Sequence, residues 1–223
     1  MIAGITVKNY KAIKFLKNLS LNRFHVLVGP NASGKSTFLD ALQFVKDCLE
    51  HGPRKAVEKR APEFRDLTFM KQGDPIEIEL WLDMGNVIDS QQGKLLLYRL
   101  AVAEDEQLGV RIDDEILKEF LKKWAPAGKD LEFSPKLTPR RLLGKTSKGT
   151  DFYRRENGGG IKTALPSALT SRLCPSPPDE ERYPTANVVK DFLMQGVQYI
   201  NVVGFEILQR WRIWPCRSPL ERL

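Results

Sequence analysis

Nine consecutive residues, Gly29-Pro30-Asn31-Ala32-Ser33-Gly34-Lys35-Ser36-Thr37, have the types and spacing to hold a phosphate. They satisfy the pattern G-x-x-x-x-G-K-[ST] at every fixed position. Gly29 and Gly34 permit backbone torsions and a close approach that a side chain would block. Successive backbone N–H groups, together with the positive end of the following helix, can surround an anion. In such a loop Lys35 reaches the β- and γ-phosphates, Ser36 offers its hydroxyl to Mg²⁺, and Thr37 is the next hydroxyl, toward the α-phosphate. The expected ligands are therefore ATP and Mg²⁺, with Ser36 as the metal-side residue.

A loop of this kind needs a strand before it and a helix after it. Phe24-His25-Val26-Leu27-Val28 is an apolar run of strand length, which makes His25 a structural residue rather than a base. From Lys35 to Glu50 the spacing predicts a helix. Phe38, Leu42, Val45 and Leu49 form its apolar stripe, widened by Ala41, Phe44 and Cys48, with Asp40, Gln43, Asp47 and Glu50 opposite. Burial of that stripe on a sheet would hold the loop rigid.

Upstream, Ile2-Ala3-Gly4-Ile5-Thr6-Val7-Lys8-Asn9-Tyr10-Lys11-Ala12-Ile13 and the Gly-Pro-Asn-x-Ser-Gly-Lys-Ser form of the loop narrow the field. With Leu19-Ser20-Leu21 and Phe38-Leu39-Asp40-Ala41-Leu42, they resemble the opening of RecF-like and SMC-like ABC ATPases. The OLD-type AAA ATPases of genome maintenance and phage defence are similar. The clear resemblance covers roughly residues 1–50, and a weaker likeness in strand order runs to about residue 202. It implies that Asn9, Tyr10 and Lys11 lie over the nucleotide.

The chain has 223 residues and a formal net charge of +7, which favours acidic partners such as DNA. Cys48, Cys174 and Cys216 are too widely spaced for a metal site or a secreted disulfide framework, so a cytoplasmic setting is expected. The early apolar stretches are short and broken by lysine, giving no membrane span. The first acidic residue is Asp40, after Lys8, Lys11, Lys14, Lys17, Arg23 and Lys35. That basic opening reads either as a solvated strand edge or as a positive field for a triphosphate.

Strands are expected at 2–7 and 14–21, then at Ile76–Asp83, Leu96–Val102 and 109–112 as an antiparallel group. Residues 113–124 read as a helix on the spacing of Ile116, Leu117, Phe120, Leu121 and Trp124, with Asp113-Asp114-Glu115 at its N-terminus. From Phe133 to Thr150 an irregular basic loop is expected, either simply solvated or a phosphate-contacting surface. Asn157-Gly158-Gly159-Gly160 reads as a hairpin turn, and Pro166 to Pro184 as a linker. A helix at Asn187–Met194 and a strand at Val197–Val203 follow, ahead of an Arg- and Trp-bearing tail from Gln209. The tail reads as a packed amphipathic end, a poorly folded extension or a single-strand-binding segment.

The expected fold class is α/β, a P-loop NTPase core lobe of ABC type with an antiparallel β subdomain. Its divisions are 1–75 for the nucleotide lobe, 76–165 for the subdomain with its basic loop, and 166–223 for linker, helix-strand and tail. Hydrolysis in the resembled family also takes an apolar strand ending Asp-Glu and a Ser-Gly-rich loop from a second molecule. Neither pattern is present, and Asp83, Glu104 and Asp105 are followed or ordered wrongly. No catalytic residue is assigned, and Gln72, Gln195 and Gln198 are equal candidates for a γ-phosphate sensor. The expectation is an N-terminal ATPase lobe lacking its C-terminal half, as a fragment, a truncated product or a frame-disrupted copy. Its partners would be a second lobe or a homodimer mate, and DNA. The alternatives are a non-catalytic, ATP-dependent binding module and, more distantly, a transporter-type subunit.

Overall fold

The computed structural model describes residues 1–84, 94–121, 140–146, 152–154, 162–164 and 184–196. Two strands open the chain, β1 (Ile2–Tyr10) and β2 (Ile13–Ser20), joined by a tight turn at Lys11 and Ala12. The phosphate loop then leads into α1 (Lys35–His51), followed by α2 (Pro53–Glu58), the short α3 (Phe64–Leu67) and a 3₁₀ turn at Phe69–Lys71. Next come β3 (Ile76–Asp83), β4 (Lys94–Asp105), β5 (Gly109–Leu121), β6 (Arg140–Thr146), β7 (Phe152–Arg154), β8 (Lys162–Ala164) and α4 (Pro184–Gln195). Among the described residues, the eight strands form one sheet in the order β2-β1-β3-β4-β5-β6-β7-β8, each neighbouring pair antiparallel.

Alternation along the strands decides the two faces. Ile76, Ile78, Leu80 and Leu82 of β3 point with Leu96, Tyr98, Leu100 and Val102 of β4 into one core. Phe38, Ala41, Phe44, Val45, Cys48 and Leu49 of α1 fill that core from the other side, with Ala186, Val189 and Leu193 of α4. On the reverse face Trp81, Leu95 and Leu97 make a smaller cluster with Phe120, whose ring lies 5.2 Å from that of Trp81. Around this cluster the reverse face is ionic: Glu77 joins Lys8 at 2.7 Å and Arg99 at 2.9 Å.

Helix α1 ends where Gly52, at φ 85°, takes a conformation a side chain would strain, and Pro53 opens α2 at the position that needs no N–H. Asn9 ties β1 to the later chain. Its amide donates to the carbonyls of Asp74 (2.5 Å) and Pro75 (3.3 Å), and its carbonyl accepts from Phe69 N–H (2.9 Å).

Four expectations need correction. Residues 113–121 are strand, not helix, because β5 pairs with β4 from Gly109 through Leu121. Apolar residues four apart satisfy both periods: Ile116 and Phe120 share one face of a strand, Leu117 and Leu121 the other. A bulge opposite Ala101 and Val102 shifts the alternation and hides the strand pattern further. Secondly, Phe24–Val28 forms no ladder in the described residues; Phe24 is 81% and Val28 89% exposed. His25 is exposed with them rather than enclosed in a strand. Thirdly, Asp47 on α1 is buried rather than solvent-facing, because Arg60 folds back onto it. Finally, Arg140–Thr146 within the expected basic loop is strand β6, with Arg140 and Lys145 in register with Glu119 and Glu115.

β7 and β8 pair antiparallel, and the turn expected at Asn157–Gly160 lies outside the described residues. The linker at 166–183, the strand expected at 197–203 and the tail lie outside the described residues.

The weight carried by the α1 face sets a first expectation. Phe44 is fully enclosed and stacks on Tyr10 at 5.4 Å. Phe44→Ala should cost about 3–5 kcal/mol in urea denaturation, with an unchanged slope if only the core is affected.

Candidate functional site

Gly34 is the residue before α1 and adopts φ 91°, ψ 4°, the left-handed geometry that glycine takes without steric cost. A Cβ on Gly29 would approach Ser33 Oγ to 2.9 Å, a contact that rotation of the Ser33 side chain can relieve. The first helical bond runs from Phe38 N–H to Gly34 O at 2.8 Å. No side chain caps α1, and its first turn holds no acidic residue. The free N–H groups and the helix dipole at this end are therefore open to an anion.

Lys35 Nζ lies across the loop, donating to Gly29 O at 2.7 Å, Pro30 O at 2.6 Å and Ser33 Oγ at 3.2 Å. These carbonyls hold the ammonium over the loop that would receive phosphate. Beside it opens a pocket of about 360 Å³, lined by Lys11, Ser36, Thr37, Asp40 and Gln43. Among the expected residues, Lys11, Ser36 and Thr37 come together there. Pro30, Asn31, Ala32 and Ser33 form the exposed crown of the loop, with Ala32 at φ 64°. Asn9 and Tyr10 are placed differently. Asn9 is buried in the lock described above, and Tyr10 is fully enclosed against Phe44.

The pocket's polar wall is a network that sequence reading did not assemble. Asp40 Oδ2 accepts from Tyr10 OH at 2.7 Å and Lys11 Nζ at 2.5 Å, while Oδ1 accepts from Arg60 Nε at 2.8 Å. Arg60 also meets Asp47 at 2.6 Å, and Asp47 meets Lys59 at 2.9 Å. The Arg60 guanidinium lies 5.5 Å over the Phe44 ring. Asp40 had a signal in sequence: it is the first acid after six basic residues and follows Ser36 by four on one helix face. Arg60 had none, since its partners stand 20 and 13 residues away.

Burial works against the charge of both aspartates, yet each carboxyl is held below its ordinary range. For Asp40 the donors are Lys11 and Tyr10 with the Arg60 charge, and for Asp47 they are Lys59 and Arg60. Burial, then the neighbouring Asp40, pushes the Tyr10 phenol up, so it stays a donor. Burial and the aspartates act in opposite directions on Arg60, and the net shift is upward.

The residues present suit a nucleotide phosphate and Mg²⁺. The loop presents N–H groups and a lysine to phosphate, and Ser36 is the kind of single hydroxyl ligand that Mg²⁺ accepts alongside phosphate oxygens and water. No helix among the described residues is long and apolar enough to cross a membrane.

Comparison with known proteins adds a family. The model of the AAA ATPase domain matches residues 1–157. A solved structure from work on ATP-driven dimerization and DNA-stimulated activation of SMC ATPases is 25% identical. It covers 54% of this chain and 69% of its own at a TM-score of 0.35, an overlap too loose to carry an argument. No curated protein matches significantly.

The network carries its own expectation. Arg60 has 8% of its side chain exposed, and Arg60→Met leaves Asp40 with Tyr10 and Lys11 and Asp47 with Lys59; loss of the shared guanidinium should cost about 3 kcal/mol at pH 7. Both carboxyls are depressed in the folded chain. Their contribution is complete above about pH 4, the unfolded value, and is lost as pH falls through the lowered folded values. Thermal unfolding of Arg60→Met between about pH 2 and 4 should therefore be flatter with pH than that of the wild type.

Proposed function

This chain belongs to the AAA ATPase domain family, and from that premise we propose that it is the ATP-binding lobe of a RecF-, SMC- or OLD-like ATPase. It works in DNA maintenance or phage defence and hydrolyses ATP only with residues contributed by a partner lobe or subunit. The observation that carries the nucleotide reading is the loop Gly29–Thr37 ending on an uncapped helix, with Lys35, Ser36 and Lys11 converging on one pocket. The net charge of +7 supports DNA as a partner, and the location is cytoplasmic.

The chain's residues divide the task. Loop N–H groups and Lys35 bind and orient phosphate, exchanging the carbonyls of Gly29 and Pro30 for phosphate oxygens. Ser36 would hold Mg²⁺, which when bound would supply neutralisation of the phosphate charge. Thr37 faces the pocket beside Lys11. Orienting the attacking water calls for a group free to accept its proton or a hydrogen bond from it. Among the described residues, the carboxylate lining the pocket is Asp40, and it already accepts from Tyr10, Lys11 and Arg60. That occupancy favours a second reading as well, in which ATP orders a DNA or protein interface without being hydrolysed.

Two measurements test these readings. Lys35→Ala should weaken Mg-ATP binding by roughly tenfold to a hundredfold, the loss of a charge-assisted contact worth about 1.5–3 kcal/mol. Equal affinity in calorimetric titrations of the two proteins would remove the assignment. The purified chain should also release phosphate at a negligible rate while binding well, since among the described residues the carboxylate lining the pocket is already engaged and no partner subunit is present to supply a cation. Release that depends on Lys35 and disappears in Glu104→Gln would identify a complete enzyme instead. Turnover restored by a neighbouring gene product selects the ATPase lobe over the binding module.

A further inference from the structure

We propose that Asp40 competes with nucleotide phosphate for Lys11 and in this way sets the affinity of the site. The inference rests on the nucleotide reading above and concerns how that site is regulated.

Three donors converge on the Asp40 carboxylate, and they differ in mobility. Tyr10 is fully buried under Phe44. Arg60 is buried and fixed by the Ala56 carbonyl at 2.9 Å and by Asp47 at 2.6 Å. Lys11 is the loose member, with 34% of its side chain exposed. It lines the same pocket as Ser36 and Thr37, so its ammonium stands where a phosphate at the start of α1 can attract it. Its backbone does not need to move. The Lys11 N–H donates to Leu67 O at 2.7 Å, which pins the turn, and only the side chain swings.

The exchange is asymmetric in cost. When Lys11 leaves, Asp40 keeps Tyr10 and Arg60, so no buried carboxylate is orphaned and the usual penalty for breaking an ion pair is avoided. Phosphate still has to outbid an aspartate for the lysine. Asp40 therefore lowers affinity without being needed for phosphate contact, and any partner that drew Lys11 or Arg60 away from it would retune the site.

The test combines Asp40→Asn, Lys11→Gln and the double variant in calorimetric titrations with Mg-ATP. Asparagine keeps the shape and removes the charge. Asp40→Asn should bind Mg-ATP about threefold to fivefold more tightly than the wild type, the scale of a partly exposed ion pair. Lys11→Gln should bind more weakly by a similar factor. In the Lys11→Gln background the gain from Asp40→Asn should vanish, since there is no lysine left to contest. A readout free of nucleotide accompanies these: acylation of Lys11 by an amine-selective reagent, followed by mass spectrometry. Asp40→Asn should speed it, because the ion pair with Asp40 shields the amine.

Affinity equal to or weaker than wild type in a folded Asp40→Asn protein would overturn the proposal. Should Asp40→Asn fail to fold, Lys11→Gln decides: unchanged Mg-ATP affinity there also overturns it. Failure of the wild type itself to bind Mg-ATP would remove the nucleotide reading and this inference together, and differs visibly from a result confined to the Asp40 variants.

Discussion

One carboxylate joins the parts of this molecule that must stay together. Asp40 stands on α1, and through Tyr10, Lys11 and Arg60 it grips the end of β1, the β1–β2 turn and the chain just past α2. Tyr10 and Lys11 are consecutive, whereas Asp40 lies 29 residues beyond Lys11 and Arg60 a further 20. Arg60 extends the grip to Asp47 one helical stretch further along α1. Arg60 is thus paired at two points along α1. The apolar side of α1 supplies most of the stabilisation, whereas the ion network supplies the direction.

The sheet makes the same division of labour in two dimensions. Its inner face is apolar from Ile5 and Val7 through Leu80, Leu96 and Leu100, and on β5 Leu117 lies between the buried Glu115 and Glu119, with Tyr98 OH donating to Glu115 at 2.7 Å. Its outer face carries Glu77 between Lys8 and Arg99, with Glu79 and Asp114 each 3.8 Å from Arg99, around the patch of Trp81 and Phe120. Opposite charges on adjacent strands favour this register, and a one-residue slip would bring apolar side chains to the solvent. Asn9 completes the frame by holding the connection before β3 onto β1 with three hydrogen bonds.

Function follows from what this frame leaves outside it. The loop from Gly29 to Ser33 is exposed and governed by its backbone, so phosphate recognition there relies on N–H groups and one lysine rather than on a shaped apolar cavity. The neighbouring pocket is lined by Lys11, Ser36, Thr37, Asp40 and Gln43, and its carboxylate is already satisfied. Binding and catalysis are thereby separable in this chain: the first needs only residues of the loop and α1, while the second needs an unengaged base.

By itself the sequence determined the phosphate loop, helix α1 and the β3–β4 pairing, because each depends on short-range pattern. Glycine at fixed offsets, a 3.6-residue stripe and strict alternation are all local statements. Tertiary structure decided the rest. Apolar residues four apart in β5 suit a helix or a strand equally, and pairing with β4 settles the matter through a ladder that no local window contains. Tyr10 and Asn9 lie beside Lys11 in the chain, yet alternating faces and a left-handed turn send the first two inward and leave the third at the pocket. The burial of Asp47 depends on Arg60, which reaches it across the α1–α2 corner. An aspartate on a helix reads as solvent-facing until a cation arrives from elsewhere, because its desolvation is tolerable only when that partner is already in place.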